Sequence, residues 1–259
     1  MLRYFYVICL WGSVLVGFAV EAWSALAPGL ENETDWLSWL ENRPTPENLS
    51  INANLKQIPP ILRRRFNALG KCAMGAVTQL LENDQKLPSI FASRHGDTPL
   101  TLSLLESMAK DEPMSPTGFS LAVHNAVSGL YSIAKKDNSA VTAISSMQGL
   151  IINTLCEAVG QLQDSERVLC VIYDVPLPAI YQKSCKGDSF PFAVAMLINR
   201  SKGQLFQLKQ NLTPGPAKNL LATDDIGDFV ACLLGATEQY QDNLNGVNWN
   251  LVKIKNHAG

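Results

Sequence analysis

Residues 113–149 decide the fold, and they read PMSPTGFSLAVHNAVSGLYSIAKKDNSAVTAISSMQG. The stretch opens with a Pro-Thr-Gly turn at 116–118, which the short apolar run 119–123 follows. The small residues of HNAVSG, at 124–129, allow a helix to pack closely against its neighbours. The stretch ends in SSMQG, at 145–149, directly before a long apolar segment. This order predicts a small-residue elbow that leads into a buried helix.

Helices are predicted on both sides of this stretch. Proline is tolerated in a first helical turn, so the Pro59-Pro60 pair begins a helix whose apolar stripe continues to Leu80. A helix over 99–110 is predicted to turn its apolar residues inward, namely Leu102, Leu105 and Met108. The segment 148–161 is apolar on most faces, which is typical of a buried helix. A last helix is predicted after a cap at Asp224-Asp225.

Predicted strands alternate with these helices at 16–22, 88–93, 167–173, 192–198, 204–210 and 249–254. The run at 167–173 is continuously apolar, as in a strand at the centre of a sheet that is covered on both faces. The two strands at 192–198 and 204–210 are predicted to form a hairpin through 201–203. The mixture indicates an α/β layered domain.

Size, charge and cysteine usage narrow the classes of function. At 259 residues and 28.3 kDa, the chain has room for one large α/β domain or two small ones. A net charge of −2 provides no basic surface for nucleic acid. Hydrophobic residues make up 47% of the chain. Apolar surface that remains exposed after folding would favour a protein partner. Six scattered cysteines without a CxxC pair indicate reduced thiols rather than disulfides or a metal site.

The N-terminus allows two interpretations. Residues 1–3 and the apolar run after them resemble a signal sequence or a membrane anchor, with a candidate cleavage site at 25–27. The second half of the run, 16–22, is rich enough in β-branched residues to be a buried strand instead. Composition alone favours the signal or anchor, and with it an exported or membrane-anchored binding protein.

A run of three arginines, Arg63, Arg64 and Arg65, lies near the start of the first predicted helix. Such a run is most often a solvated face of a helix. It is also a candidate docking point for an acidic carrier protein or a partner subunit, because guanidinium groups pair well with carboxylates and phosphates.

Five segments, in this order along the chain, resemble the β-ketoacyl synthases: AWSALAPG (22–29), IPPILRRR (58–65), FASRHGD (91–97), the central stretch (113–149) and VLCVIYDVPLP (168–178). The sequence is most similar to the chain length factor proteins of aryl polyene gene clusters. The resemblance implies the thiolase-like layered fold of the synthase N-terminal half, a mixed sheet covered by helices. It assigns 16–259 to that domain and 1–15 to an apolar extension, and it makes a cytoplasmic location the expected one.

The resemblance also implies where a condensing nucleophile would lie. Condensation needs a cysteine thiolate at a strand-to-helix elbow, where the helix N-terminus lowers the thiol pKa. An ungapped count back from Glu157 puts Gln148 at this position, and glutamine cannot attack a thioester. A shifted register would place Ser145 or Ser146 there, and a serine could act. Cys156 is expected to pack inside the apolar helix.

Condensation also needs two histidines, which the family takes from its second half. This sequence has three histidines, His95, His124 and His257. The resemblance places Phe119, His124 and Asn125 at the dimer interface and acyl tunnel beside the elbow. A structural role is therefore expected for His124.

These observations predict a non-condensing, chain-length-factor-like subunit that pairs with a catalytic β-ketoacyl synthase and shapes the acyl tunnel. The expected partners are that synthase subunit and an acyl carrier protein, without nucleic acid, cofactor or metal. Two alternatives remain open: a serine-dependent acyltransferase that uses Ser145 or Ser146, and the exported or membrane-anchored binding protein.

Overall fold

The computed structural model describes residues 6–10, 13–81, 85–184, 189–214, 226–244 and 246–254. The strands are β1 (Tyr6–Leu10), β2 (Ser13–Leu26), β3 (Ser89–Ala92), β4 (Val141–Ile144), β5 (Arg167–Asp174), β6 (Phe192–Asn199), β7 (Gln204–Pro214), β8 (Gln239–Leu244) and β9 (Val247–Lys253). The helices are α1 (Glu33–Asn42), α2 (Pro60–Arg63), α3 (Ala68–Leu80), α4 (Thr98–Ala109), α5 (Pro116–Leu121), α6 (Ala126–Lys135), α7 (Leu150–Gln161) and α8 (Ile226–Leu234).

The strands form one mixed sheet in the order β4-β3-β5-β6-β2-β7-β9-β8, and β1 pairs with the first part of β2. β3 runs parallel to β4 and to β5, whereas the other pairs are antiparallel. Helices cover both faces of this sheet: α3 and α6 contribute to one core, and α7 and α8 to the other. The predicted fold, a mixed sheet covered by helices, is confirmed.

β5 shows why its apolar run predicts a central position. Val168, Cys170 and Ile172 point into the α7–α8 core, and the alternate residues Leu169 and Val171 point into the α3–α6 core. All five side chains are buried. A strand buried on both faces has no polar alternation, so the prediction from the sequence is confirmed.

β2 lies at the centre of the sheet, and its position contradicts one expectation. The predicted buried strand at 16–22 is confirmed, since it falls within β2. The hairpin predicted between β6 and β7 is wrong, because β2 lies between these two strands and pairs with both. Gly203, in the β6–β7 connection, crosses so close to β2 that an added Cβ would lie 2.2 Å from the Val20 carbonyl oxygen.

The single helix predicted from Pro59 to Leu80 is wrong, because the structure divides it into α2 and α3. The reason is Asn67, whose side chain accepts a hydrogen bond from Gly70 N over 3.1 Å and so acts as the N-cap of α3. Asparagine is favoured at this position because its oxygen satisfies an otherwise unpaired backbone N–H.

The helix predicted at 99–110 is confirmed as α4, but the predicted direction of its apolar face is wrong. No side chain of α4 is buried. Leu105 is 50% exposed and Met108 is 57% exposed. The apolar spacing of Leu105 and Met108 therefore marks a face of α4 that the rest of the described chain leaves exposed.

The described residues of the N-terminal apolar run, 6–10 and 13–20, form strands rather than a helix. The predicted boundary between 15 and 16 falls inside β2, whose first residues pair with β1 and β7. Among the residues that the structure describes, no helix is long and apolar enough to cross a membrane. The predicted cap at Asp224-Asp225 lies outside the described residues.

Candidate functional site

Three parallel strands end at one edge of the sheet, and the loops that follow them form the candidate site. The segment 93–97 follows β3, the segment 145–149 follows β4, and Asp174 ends β5. The carboxyl ends of parallel strands are the usual place for functional loops in α/β sheets.

The elbow predicted before the apolar helix is present, and it follows β4, a strand that the sequence patterns do not predict. β4 ends at Ile144, α7 begins at Leu150, and the N-cap Gly149 has φ +61° and ψ +35°. This left-handed conformation favours glycine. A Cβ at Gly149 would also lie 3.0 Å from Leu244 Cδ1, at the end of β8. Backbone conformation and packing therefore both favour glycine at the elbow.

Gln148 lies directly before this glycine and is 8% exposed. Its carbonyl oxygen accepts hydrogen bonds from Ser146 Oγ over 2.6 Å and from Asn153 Nδ2 over 3.4 Å. These bonds tie the last residues of the elbow to the first turn of α7. The assignment of Gln148 as the nucleophile-equivalent residue stays a prediction.

The hydrogen bonds of the two elbow serines do not activate a nucleophile. The Ser145 hydroxyl donates to the Arg94 carbonyl oxygen over 2.9 Å. The Ser146 hydroxyl donates to the Gln148 carbonyl and accepts from Asn153 Nδ2 over 2.8 Å. An attacking serine needs a base that takes its proton, and neither a carbonyl nor an amide group does so.

The loop after β3 wraps around a buried carboxylate. Asp174, 1% exposed, accepts hydrogen bonds from Ser93 Oγ over 2.8 Å and from Arg94 N over 3.0 and 3.2 Å. The backbone N–H of His95 also bonds to this carboxylate. Burial raises the pKa of Asp174, although these hydrogen bonds and the nearby Arg94 charge oppose the rise.

His124 binds to the same loop. A carbonyl oxygen can only accept, so His124 donates from Nε2 to the Ser93 carbonyl oxygen, over 2.8 Å. The imidazole ring also packs on Gly96, where an added Cβ would lie 3.2 Å from His124 Cδ2. These contacts support the predicted structural role of this residue.

The chain between α4 and the elbow presents an unusually apolar surface. Among the described residues, eight of the twelve large hydrophobic side chains that are exposed lie between positions 105 and 147. We call these eight residues the apolar surface: Leu105, Met108, Met114, Phe119, Val123, Ile133, Val141 and Met147. Phe119 is the most exposed of them, at 64%, and Asn125 is also exposed. Exposed apolar side chains that adjoin one another in a patch mark interaction sites.

β4 adds backbone hydrogen-bonding groups to this region. It pairs with β3 on one side and stands at the end of the sheet, without a second neighbouring strand in the described part of the chain. Its exposed side chains are Val141 and Ala143, which are small or apolar and uncharged. Edge strands of monomeric proteins usually carry protective charges, so this edge is suited to a partner.

The three arginines do not act as one group. Arg63 turns back on its own chain, donating from Nη2 to the Ile58 carbonyl over 3.0 Å. Arg64 and Arg65 are exposed. Arg65 lines a small cavity together with Asp97 and His124, which places it near the loop after β3. Arg64 and Arg65 remain candidates for docking, and Arg63 has a structural contact.

Besides the apolar face of α4, the sequence misplaces Cys156 and gives no role to three other residues of the site. Cys156 is exposed on α7, so its predicted packing role is wrong. Ser93, Arg94 and Asp174 connect the loops of the site, but no role is evident for them in the sequence. One available signal is that each lies at the carboxyl end of a predicted strand, where parallel strands bring such residues together.

The comparisons with known proteins agree with this geometry. One family model matches residues 36–250, and its description is beta-ketoacyl synthase, N-terminal domain. A comparison with curated proteins finds no significant match. Comparison with solved structures finds similar folds, although all the identities below are under 25% and support the fold alone.

The first of these structures is the ketosynthase ApeO in complex with its chain length factor ApeC from Xenorhabdus doucetiae. The match has 23% identity and a TM-score of 0.76, and it covers 91% of this chain and 98% of that chain. The ishigamide ketosynthase/chain length factor matches at 13% identity and a TM-score of 0.55, covering 75% and 67% of the two chains. The AntDE:AntF complex, a type II polyketide synthase acyl-carrier protein with its ketosynthase bound to the hexaketide, matches at 11% and 0.61, covering 92% and 99%.

The layered sheet and its strand-to-helix elbow define a ketosynthase-like α/β protein of the thiolase-like fold. The family model covers well over half of the chain. The chain therefore belongs to the beta-ketoacyl synthase N-terminal domain family.

Proposed function

We propose that the chain is a non-condensing, chain-length-factor-like subunit that pairs with a catalytic β-ketoacyl synthase. The observation that carries the proposal is the apolar surface, which lies along the chain between α4 and the elbow and includes the uncharged edge strand β4. α4 and α5 have no buried side chain of their own, so their apolar faces need a partner. Phe119, His124 and Asn125 would lie at this interface and beside the acyl tunnel.

The non-condensing part of the proposal rests on the elbow. Gln148 and Gly149 offer no nucleophile, and the hydroxyls of Ser145 and Ser146 donate to backbone carbonyls. Among the described contacts of these two serines, none supports the alternative of a serine-dependent acyltransferase. An acyl adduct on either serine, detected by mass spectrometry after incubation with acylated carrier protein, would contradict the non-condensing role.

The proposal includes an acyl carrier protein as second partner, for which Arg64 and Arg65 provide exposed cations. It also assigns 16–259 to the synthase-like domain and 1–15 to an extension, and it places the chain in the cytoplasm. Cys72, Cys156, Cys170 and Cys232 are free thiols, a state that a reducing compartment maintains. An aryl polyene substrate belongs to the proposal on the strength of the sequence resemblance.

The test is co-purification of the tagged chain with ketosynthases encoded by neighbouring genes, followed by native mass spectrometry. A one-to-one complex supports the proposal, and a change in product length upon substitution of residues in the apolar surface assigns the tunnel role. A chain that stays alone with every candidate synthase would contradict it.

A further inference from the structure

We infer that Asp174 is a positioning residue whose carboxylate holds the elbow and the start of the partner-facing surface in one arrangement. The part of this inference that concerns partner binding rests on the proposed function. The part that concerns the coupling of the loops rests on the contacts alone.

The carboxylate organises the loop after β3 directly. It accepts from the Ser93 hydroxyl and from the backbone N–H groups of Arg94 and His95. Ser93 Oγ in turn accepts from Gly96 N over 2.9 Å. Successive N–H groups that converge on one anion form a nest, and the negative charge is what holds them together.

The same loop contacts two other segments of the site. On one side, the Arg94 carbonyl accepts from Ser145 at the elbow, and Ser93 N donates to the Ile144 carbonyl over 3.1 Å. On the other side, the Ser93 carbonyl accepts from His124, which directly follows Val123 of the apolar surface. The loop therefore has a fixed contact to the elbow and another to the segment between α5 and α6.

Burial makes this arrangement dependent on the carboxylate. Ser93, Arg94 and Asp174 are each less than 5% exposed, so water cannot replace a lost bond at little cost. An amide at position 174 keeps one acceptor oxygen and replaces the other with an NH₂ donor, so the Ser93 hydroxyl and the backbone N–H groups of this loop lose one of their two acceptors. The loop would then have to move, and its contacts to Ser145 and His124 would move with it.

A matched control is available at the opposite ends of strands β3 and β4, where these strands begin. Asp137 is 4% exposed and accepts from Leu87 N over 3.2 Å and from Ser139 N over 2.8 Å. It is therefore also a buried carboxylate that binds backbone N–H groups, but it lies before β3 and β4 rather than after them. Asp137→Asn reports the general cost of neutralising such a group.

The experiment compares Asp174→Asn and Asp137→Asn by hydrogen–deuterium exchange of the full-length chain. We expect Asp174→Asn to speed exchange at least tenfold in 93–96 and also in 145–149, and Asp137→Asn to leave 145–149 within twofold of wild type. Unchanged exchange at 145–149 in Asp174→Asn would overturn the inference. If Asp174→Asn does not fold, Ser93→Ala removes one bond to the carboxylate and is tested by the same criterion.

Partner binding supplies the second measurement. With the cognate synthase, we expect Asp174→Asn to raise the Kd at least tenfold and Asp137→Asn to raise it less than threefold. Ser145→Ala should weaken binding in the wild-type background and add nothing to Asp174→Asn, since both changes break the same link. If the two aspartate variants raise the Kd equally, Asp174 contributes to stability only, and the inference about positioning is overturned. If no synthase binds the wild type, the proposed function fails, whereas the exchange result still decides the coupling.

Discussion

Phe119 offers the most direct test of the proposed interface. Its ring is 64% exposed on α5, and α5 has no buried residue. Replacing it with alanine removes almost no packing from the isolated chain. We therefore expect Phe119→Ala to leave the melting temperature of the free chain unchanged and to weaken its complex with the synthase.

The size of the effect follows from the exposed area. An aromatic side chain buries roughly 200 Å², so the exposed part of Phe119 is about 130 Å². At about 25 cal/mol per Å², its complete burial by a partner contributes about 3 kcal/mol. Alanine keeps about a third of this contribution, which leaves a loss of about 2 kcal/mol, or about a thirtyfold rise in Kd.

The assay is isothermal titration calorimetry of the free chain against the synthase, with Leu37→Ala as the control. Leu37 is 47% exposed on α1, which packs against α8 at the other end of the sheet. The control should change the Kd less than twofold. A Kd for Phe119→Ala within twofold of wild type would refute the assignment of α5 to the interface.

Three further predictions test the elbow, an ion-pair cluster and the docking surface. Gly149→Ala should lower the free energy of unfolding by about 1 kcal/mol more than Gly246→Ala in urea titrations, because both glycines have positive φ but only Gly149 has a neighbour, Leu244 Cδ1, in the way. Burial of Glu21 opposes its charged form, but hydrogen bonds from Lys202 and Asn199 and nearby positive charges hold its pKa below the usual value. Its contribution is then complete above about pH 4.3 and is lost as pH falls through the folded-state pKa, so Glu21→Gln should reduce stability at pH 7 by about 1 kcal/mol and the gap to wild type should close in acid. Arg64→Glu should weaken carrier-protein binding about threefold to tenfold at low salt and less at high salt in surface plasmon resonance, and a salt-independent effect would contradict electrostatic docking.

The parts of the fold that the sequence predicts well are those decided by local burial. The apolar run of β5 and the small residues before α7 each have one favourable structure, and the chain adopts it. The predicted pairing of β6 with β7 is wrong because strand pairing is not decided by local sequence. Both strands prefer β2, which lies far away in the sequence and offers two edges.

The candidate site shows a second kind of limit. The spacing of Leu105 and Met108 predicts that something covers α4, and it does not say whether this is the same chain or another one. Asp174 ends β5 and Ser93 directly follows β3, and the two residues meet only because these strands are parallel neighbours. A pattern read along one segment cannot reveal a hydrogen bond between two segments.

The central place of β2 also determines when the protein can fold. β2 lies near the start of the given sequence, yet its central neighbours β6 and β7 begin at residues 192 and 204. At about 5 to 20 residues per second, a ribosome leaves this apolar strand without these two neighbours for roughly 10 to 35 seconds. Closing the sheet then requires contacts between distant parts of the chain, which slows folding. The nascent chain should therefore depend on chaperones during synthesis, and the demand should be greatest just before β6 leaves the exit tunnel.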